Sequence, residues 1–276
     1  MAQEHPADRV QLGTVAAELV AVGSGRTVAV VGGTGTVGSL IVAALLARGA
    51  TVRVLSRNAT DVPAGAEHRR VDVISGDGLA EALAGADAVV DAANSNRRSK
   101  VTLVDGTGRL LEAGAAAGVD HHLTISIVGI DRVPSSYYRD KLAQERAVES
   151  GPVSWTILRA TQFHQLLDRV FGYAARFGLR PTGAAKVQPI DPRIAAGRLA
   201  DAALSPAAGR LPDVAGPRIE TISELSRAWA SARGHRRAPL RVPSLGKAGK
   251  ALAAGGLCAP DAAAGGETFE EWLRRG

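Results

Sequence analysis

Cysteine is almost absent from the 276-residue chain, which contains only Cys258. A single thiol excludes an internal disulfide, and without further cysteines or clustered histidines no zinc or other metal site is predicted. We interpret Cys258 as a small buried hydrophobic residue in a reducing, cytoplasmic compartment.

Long apolar runs are also missing. No stretch reaches the roughly 18 uncharged apolar residues that a membrane helix needs. The longest candidate, residues 13–25, is interrupted by Glu18 and lacks a basic leader, which argues against a signal peptide. We therefore expect a cytoplasmic protein without a membrane partner.

Aromatic residues make up 4% of the chain, whereas 46% of the residues are hydrophobic. This composition predicts aliphatic helices packed on an aliphatic sheet rather than disorder. The net charge of +6 comes mostly from scattered arginines, and pairs such as Arg97–Arg98 have no interleaved aromatics. No nucleic-acid partner is therefore expected.

Short β-branched runs and amphipathic segments alternate along the first part of the chain. The predicted strands are 27–31, 51–55, 68–74, 88–93, 123–128 and 153–158, and the predicted helices are 36–48, 78–84, 101–117 and 137–149. Asp77 is predicted to cap the second helix. Such alternation is typical of an α/β fold in which helices cover both faces of a parallel sheet.

After Arg159 the regular alternation of strands and helices ends, and glycines and prolines separate shorter segments. Thr221 with Glu224 and Thr268 with Glu271 form capping boxes that predict two helices. We divide the chain into a loosely attached extension at 1–25, a core at 26–165 and a C-terminal substrate-binding lobe at 166–276 that packs on the core.

Three glycines, Gly32, Gly35 and Gly38, lie where the first predicted strand leads into the first predicted helix. In this position the first glycine permits the turn, the second lets a diphosphate approach the backbone, and the third lets helix and strand pack closely. Free N–H groups at the helix start then face the phosphates. The predicted contacts are Gly32, Thr34, Gly35, Thr36, Val37 and Gly38.

The end of the second strand indicates which nucleotide is preferred. A carboxylate there binds the ribose of NAD, but this chain has Arg57, which suits the 2′-phosphate of NADP(H). A solvated arginine is the alternative. Asp72 is predicted to accept from the adenine, and Ala93 and Asn94 to lie along the cofactor path, although these three residues could equally belong to plain loops.

Tyr137 and Lys141 are four residues apart on a predicted helix and therefore share a face. A neighbouring ammonium lowers the pKa of a phenol, which predicts that Tyr137 transfers protons while Lys141 also binds the nicotinamide ribose. Ser126 is predicted to donate to a substrate oxygen. Alternatively, Tyr137 packs on the lobe and Lys141 is solvated; Tyr138 could also substitute for its neighbour.

Three histidines lie near the ends of predicted strands. Phe163 and His164 follow the sixth strand and are predicted to line the substrate pocket, with a packed, satisfied histidine as the alternative for His164. His121 and His122 begin the fifth strand, at the end remote from ligands, and are interpreted as structural.

The segments that carry a family resemblance are Val30–Gly38, Ser126, Tyr137–Lys141 and Trp155–His164. With these segments the sequence resembles the short-chain dehydrogenase/reductase superfamily, particularly its atypical NmrA-like and epimerase-like branch. The resemblance implies a Rossmann-type doubly wound parallel sheet with a small C-terminal lobe. It also implies Ser–Tyr–Lys oxidoreductase chemistry, with the cofactor held by the glycines and Arg57.

Two main hypotheses follow from these observations. The first is an NADP(H)-dependent oxidoreductase, monomeric or homodimeric, that acts on a small organic carbonyl or quinone-like substrate. The second is an NmrA-type redox sensor that binds NADP(H) without turnover. A third hypothesis is a sugar epimerase, which would share the cofactor site. Epimerases favour NAD, however, and Arg57 argues for NADP(H).

Overall fold

A computed structural model describes residues 25–95, 98–234 and 237–276. Its centre is a seven-stranded sheet in the order β3-β2-β1-β4-β5-β6-β9, in which every pairing is parallel. The strands are β1 Thr27–Val31, β2 Thr51–Ser56, β3 Glu67–Arg70, β4 Ala88–Asp91, β5 His121–Ile127, β6 Trp155–Ala160, β7 Leu179–Thr182, β8 Lys186–Val187, β9 Gly209–Arg210, β10 Glu220–Thr221 and β11 Ala238–Arg241. The predicted extension at 1–25 lies outside the described residues, except for Gly25.

Nine α-helices occur among the described residues. They are α1 Gly38–Leu46, α2 Leu79–Leu83, α3 Gly106–Ala116, α4 Ser136–Glu149, α5 His164–Ala175, α6 Pro192–Ala203, α7 Ile222–Ala232, α8 Gly246–Ala253 and α9 Phe269–Arg275. A π-helix at Lys100–Asp105 leads directly into α3, and a short 3₁₀-helix spans Pro260–Ala262.

Helices cover both faces of the sheet, which confirms the predicted Rossmann-type architecture. On one face, α1 and α6 pack residues such as Ile41 and Leu199 against Val30 of the central strand. On the other face, α2 and α3 pack Leu83 and Leu110 against the opposite side of the same strands. Because β1 is covered on both sides, it consists of a nearly continuous apolar run.

The predicted cap at Asp77 is wrong. Helix α2 begins after Gly78, whose φ of 77° is left-handed, and no side chain caps it. A Cβ on Gly78 would stand 2.3 Å from the carbonyl oxygen of Arg70, so the turn requires glycine. The third strand is also shorter than predicted, since it ends at Arg70 and leaves Asp72 in the loop that follows.

From α5 onward, the chain forms a second hydrophobic core and also adds elements to the sheet. Residues of α5, α7 and α9 form a separate aromatic core around Phe171, Trp229 and Phe269. Between these helices the chain returns to the sheet, where it adds α6 and the edge strand β9. Both predicted capping boxes, at the starts of α7 and α9, are confirmed.

Candidate functional site

The glycine turn between β1 and α1 is tightly packed backbone. Gly32 has a φ of 71°, in the left-handed region that favours glycine. A Cβ on Gly38 would stand 2.1 Å from the carbonyl oxygen of Gly32, so a side chain there would push the helix away from the strand. The turn therefore brings the bare start of α1, where no side chain caps the helix, to the carboxyl end of the sheet.

A cavity of about 680 Å³ opens beside this turn. It runs across the carboxyl ends of β1, β2 and β4, where ligands bind in open parallel sheets. Its lining includes six residues predicted to bind the cofactor: Gly32, Thr34, Arg57, Asp72, Ala93 and Asn94. The volume and the side-chain-free turn at its edge fit a dinucleotide.

The other predicted contacts in the turn lie around this cavity rather than in its lining. Gly35 and Thr36 are exposed at the start of α1, whereas the side chain of Val37 is buried in the sheet core. Val37 can therefore contribute only its backbone to a ligand. Gly38 serves the packing of helix on strand described above.

Two arginines at the cavity were not identified from the sequence. Arg98 lines the main cavity, and Arg70 lines an adjoining space of about 540 Å³ that also includes Arg57, Asp72 and Asp77. Arg70 becomes a neighbour of Arg57 because the register pairs Ser56 with Arg70 across β2 and β3. A signal for this pairing was present only in the strand alternation, which does not determine register.

Tyr137 lies beside the cavity, at the first turn of α4. Its hydroxyl donates to Oδ1 of the cavity residue Asn94, with an O–O distance of 3.0 Å. Burial raises the pKa of Tyr137, although the Asn94 hydrogen bond acts in the opposite direction. The expected lowering of this pKa by Lys141 is not found, and the hydrogen bonds of the ammonium go to other residues.

Lys141 is buried beneath Tyr137. Its Nζ donates to the Ile125 carbonyl oxygen and to Oε1 of Gln144, both at 2.7 Å. The Gln144 amide in turn donates to Asp91 at 3.0 Å and to the Thr107 hydroxyl oxygen at 2.9 Å. Burial lowers the pKa of Lys141 to about 8, although Asp91 and Glu145 counteract the effect. The alternative of a solvated lysine is therefore wrong.

Ser126 lies at the carboxyl end of β5, where it is buried beside Glu145. Burial raises the pKa of Glu145, but hydrogen bonds from Arg159 and Arg210 outweigh it and leave that pKa below its ordinary value. Arg159 binds both carboxylate oxygens of Glu145, at 2.8 and 2.7 Å. The Ser126 hydroxyl is thus close to an ionic cluster that links α4 to β6.

The remaining candidates lie away from the cavity lining. His164 is fully buried between Phe269 and Trp272, with Nε2 at 3.2 Å from the Glu267 carbonyl oxygen. Burial lowers its pKa to about 4, which matches the packed histidine that the sequence left open. Phe163 is half-buried and packs against the sheet core.

His121 and His122 lie where they were expected, at the buried start of β5. His121 contacts the Thr156 hydroxyl at 2.8 Å, and His122 contacts the Thr124 hydroxyl at 3.1 Å. Burial lowers the pKa of each to about 4. Both are therefore neutral core residues at neutral pH.

Solved structures with a similar fold include several nucleotide-dependent proteins. NADPH-dependent quinone oxidoreductase QOR2 from Escherichia coli, complexed with NADPH, has a TM-score of 0.72 and 17% identity, over 90% of this chain and 99% of that chain. The UDP-glucose 4-epimerase of Thermus thermophilus, complexed with NAD, has a TM-score of 0.68 and 24% identity, over 90% and 96%.

A short-chain dehydrogenase/reductase superfamily protein from Agrobacterium tumefaciens, with bound NAD, has a TM-score of 0.68 and 20% identity, over 91% of this chain and 95% of that chain. At these identities the likeness establishes the fold alone. No curated protein sequence matches the chain.

A family model described as NAD(P)H-binding matches residues 32–176, which is just over half of the chain. The match begins at the first glycine of the turn and includes the cavity residues Arg57, Asp72 and Asn94. Family, fold and cavity thus agree with the resemblance that the motifs indicated. This chain belongs to the NAD(P)H-binding family and has the Rossmann-type fold of the short-chain dehydrogenase/reductase and epimerase structures.

Proposed function

We propose that this protein is an NADP(H)-dependent oxidoreductase that acts on a small organic carbonyl or quinone-like substrate. The observation that carries the proposal is the cation Arg57 at the carboxyl end of β2, facing the cavity beside the glycine turn. A guanidinium there binds a 2′-phosphate through charge and a planar pair of donors.

Other charged residues at the cavity also affect the preference between NADP(H) and NAD(H). Arg70 adds a second cation next to Arg57, while Asp72 and Asp77 add two carboxylates to the adjoining space. Asp72 already accepts a hydrogen bond from the Ile74 N–H at 2.9 Å, which directs one of its oxygens to its own loop. We propose that its other oxygen accepts from the adenine amino group.

Tyr137 is the proposed acid–base group. When bound, a reduced nicotinamide supplies the hydride to the substrate carbon. Tyr137 gives its hydroxyl proton to the substrate oxygen, and solvent returns a proton to the phenolate. Tyr137 is protonated at neutral pH, as a proton donor must be, although its raised pKa makes it a weaker acid than the sequence predicted. The hydrogen bond to Asn94 holds the phenol oxygen beside the cavity and is exchanged for one to the substrate before the proton moves.

Lys141 and Ser126 would support this step. An ammonium has three N–H donors, and Lys141 uses two on Ile125 and Gln144, which leaves one for the nicotinamide ribose. We propose that Ser126 donates to the substrate oxygen. Phe163 and the lobe at 166–276 would enclose the substrate, opposite the nucleotide-binding core at 26–165.

The nucleotide preference is tested by titrating the purified protein with NADPH and NADH in a calorimeter. Arg57→Glu should weaken NADPH binding by about tenfold or more, because it replaces a charge-assisted bond with repulsion. NADH binding should change much less. Equal loss for both nucleotides would refute the role given to Arg57.

The catalytic assignment is tested with Tyr137→Phe, for which Tyr138→Phe is the matched control. Turnover of carbonyl and quinone substrates, followed as NADPH oxidation, should fall by about 100-fold or more in the first variant only. NADPH affinity should be unchanged in both. Another outcome is that the unchanged protein binds NADPH and yet fails to oxidise it with any of the carbonyl and quinone substrates tested. That result would replace the enzyme hypothesis with the redox-sensor hypothesis.

A further inference from the structure

Most of the large apolar side chains exposed within the described residues lie on the C-terminal lobe, in two segments. Leu166, Val170, Tyr173 and Phe177 recur every three or four residues and form a stripe along α5 and the turn after it. Tyr173 and Phe177 each expose 65% of their surface, and their rings meet edge to face with a centroid distance of 5.4 Å.

The second segment adjoins the first. Strand β11, all of whose residues are exposed, pairs with β7, which directly follows α5. The Ala238 N–H donates to the Gly178 carbonyl oxygen at 3.0 Å, one residue beyond Phe177. Leu240, Val242 and Leu245 are exposed along this segment. We call the exposed side of 166–177 together with 238–250 the outer lobe surface.

Cations on the outer lobe surface have no acidic partners. The exposed cations there are Arg169, Arg176, Arg241, Lys247 and Lys250, and none forms an ion pair within the described part of the chain. Asp168, on the same helix, is occupied by the Trp229 indole and by Arg233. No aspartate or glutamate occurs between residues 225 and 260. The outer lobe surface is therefore both apolar and strongly basic.

We propose that the outer lobe surface binds to the surface of an anionic lipid bilayer. Exposed aromatic and aliphatic side chains beside unpaired lysines and arginines are the composition with which proteins bind to lipid interfaces. The exposed apolar side chains lie on or next to α5 and β11, beside the exposed cations, and this combination suits an anionic lipid surface. A second copy of the same surface would bring like charges together.

This association needs no spanning segment. No helix in 25–95, 98–234 or 237–276 is long and apolar enough to cross a membrane. The long side chains of arginine and lysine can reach lipid headgroups while Tyr173 and Phe177 enter the acyl boundary. The proposal revises the expectation from the sequence that the protein has no membrane partner, and it does not depend on the proposed catalysis.

The test is co-sedimentation of the full chain with vesicles of phosphatidylcholine alone or with about 30% phosphatidylglycerol. We expect binding to the anionic vesicles, about tenfold or more weaker binding to the neutral ones, and weakening by salt. The double variants Tyr173→Ser/Phe177→Ser and Arg169→Glu/Arg176→Glu should each lose about tenfold in affinity.

Matched controls outside this surface are Ile219→Ser, an exposed apolar residue, and Arg198→Glu, an exposed arginine. Both should bind vesicles like the unchanged protein. A further variant, Lys247→Gln/Lys250→Gln, changes two exposed lysines of α8, a helix that buries no residue, so neither substitution removes a core contact and this variant should also bind anionic vesicles more weakly.

The proposal fails if anionic vesicles do not bind the protein, or if the surface variants bind as well as the controls. It also fails if sedimentation equilibrium shows a dimer that the surface variants dissociate and that vesicles do not affect. That outcome would assign the surface to contacts between copies of the chain.

Discussion

The sheet and the C-terminal lobe are packed by different kinds of side chain. No aromatic residue precedes Tyr137 in the sequence, and the fully buried residues of the two main clusters on the sheet are all Val, Ala, Leu and Ile. The lobe core instead gathers Phe171, Trp229 and Phe269. Small aliphatic side chains fit the regular surface of a pleated sheet, whereas large rings fill the irregular space between short helices.

This difference separates two tasks. The aliphatic half contains the glycine turn and the cavity beside it, where backbone positions must be held closely. The aromatic half contains the outer lobe surface and shares no residue with the lining of that cavity. We therefore expect changes in one half to leave the measured property of the other half intact, and four variants test this separation.

The largest effect on nucleotide binding is expected for Gly38→Ala. The added Cβ would stand 2.1 Å from the Gly32 carbonyl oxygen, so the turn must open. NADPH affinity measured by calorimetry should fall by about 100-fold, which is about 2.8 kcal/mol. Gly108→Ala is the control, because no atom lies within 4 Å of its Cβ and helical alanine is favourable. Binding within threefold of normal by Gly38→Ala would contradict the structural role of the turn.

Phe171→Ala should destabilise the lobe by roughly 3–5 kcal/mol in denaturant unfolding, because it removes a fully buried ring. Phe177→Ala, six residues away and exposed, should cost less than about 0.5 kcal/mol. NADPH affinity should be unchanged in both variants. If Phe171→Ala weakens NADPH binding, the lobe and the sheet are one cooperative unit and the separation is lost.

Because Lys141 is buried, the free energy of unfolding should vary with pH in the alkaline range. The unfolded chain keeps the lysine proton until about pH 10.5, whereas the folded protein releases it near pH 8. Stability should therefore rise with pH across this window, by on the order of 3 kcal/mol. Lys141→Met lacks this contribution, so the difference in unfolding free energy between it and the unchanged protein should vary with pH.

The control for this measurement is Lys186→Met, which changes an exposed lysine. Its difference from the unchanged protein should be the same at pH 7.5 and pH 9.5. A pH-independent difference for Lys141→Met would show that the ammonium is not confined in the core as the structure has it.

His164 should make the lobe sensitive to acid. Its folded pKa of about 4 lies below the ordinary value of 6.5, so the unfolded chain takes up the proton first. Stability is then lost as pH falls from 6.5 to 4, by on the order of 3 kcal/mol. His164→Gln should remove that part of the acid sensitivity, measured by urea unfolding at pH 7 and pH 4.5; an unchanged slope would contradict it.

Local patterns predicted the parts of the fold that depend on neighbouring residues. The strand alternation, the glycine turn and both capping boxes are confirmed because each depends on spacing within a few residues. Arg57, Asp72 and Asn94 were also placed at one cavity, since the carboxyl ends of parallel strands meet at one edge. The cap at Asp77 was wrong because a left-handed glycine ended the turn first.

Other features depended on contacts that spacing does not contain. Arg70 reaches Arg57 only through the register of β2 and β3. Lys141 shares a helix face with Tyr137, as predicted, yet its ammonium bonds to Ile125 and Gln144, which only the packing of α4 on β5 brings into reach. The sequence interpretation of a lysine acting on the phenol could not include these acceptors.

The sequence by itself therefore determined the architecture and the place of the glycine turn, because hydrophobic period and glycine conformation are local properties of the chain. The tertiary structure alone decided which charges are buried, which arginines meet at the cavity and which apolar side chains stay exposed. Burial is a property of the whole packed molecule, and it sets the protonation of Lys141 and His164 as well as the outer lobe surface.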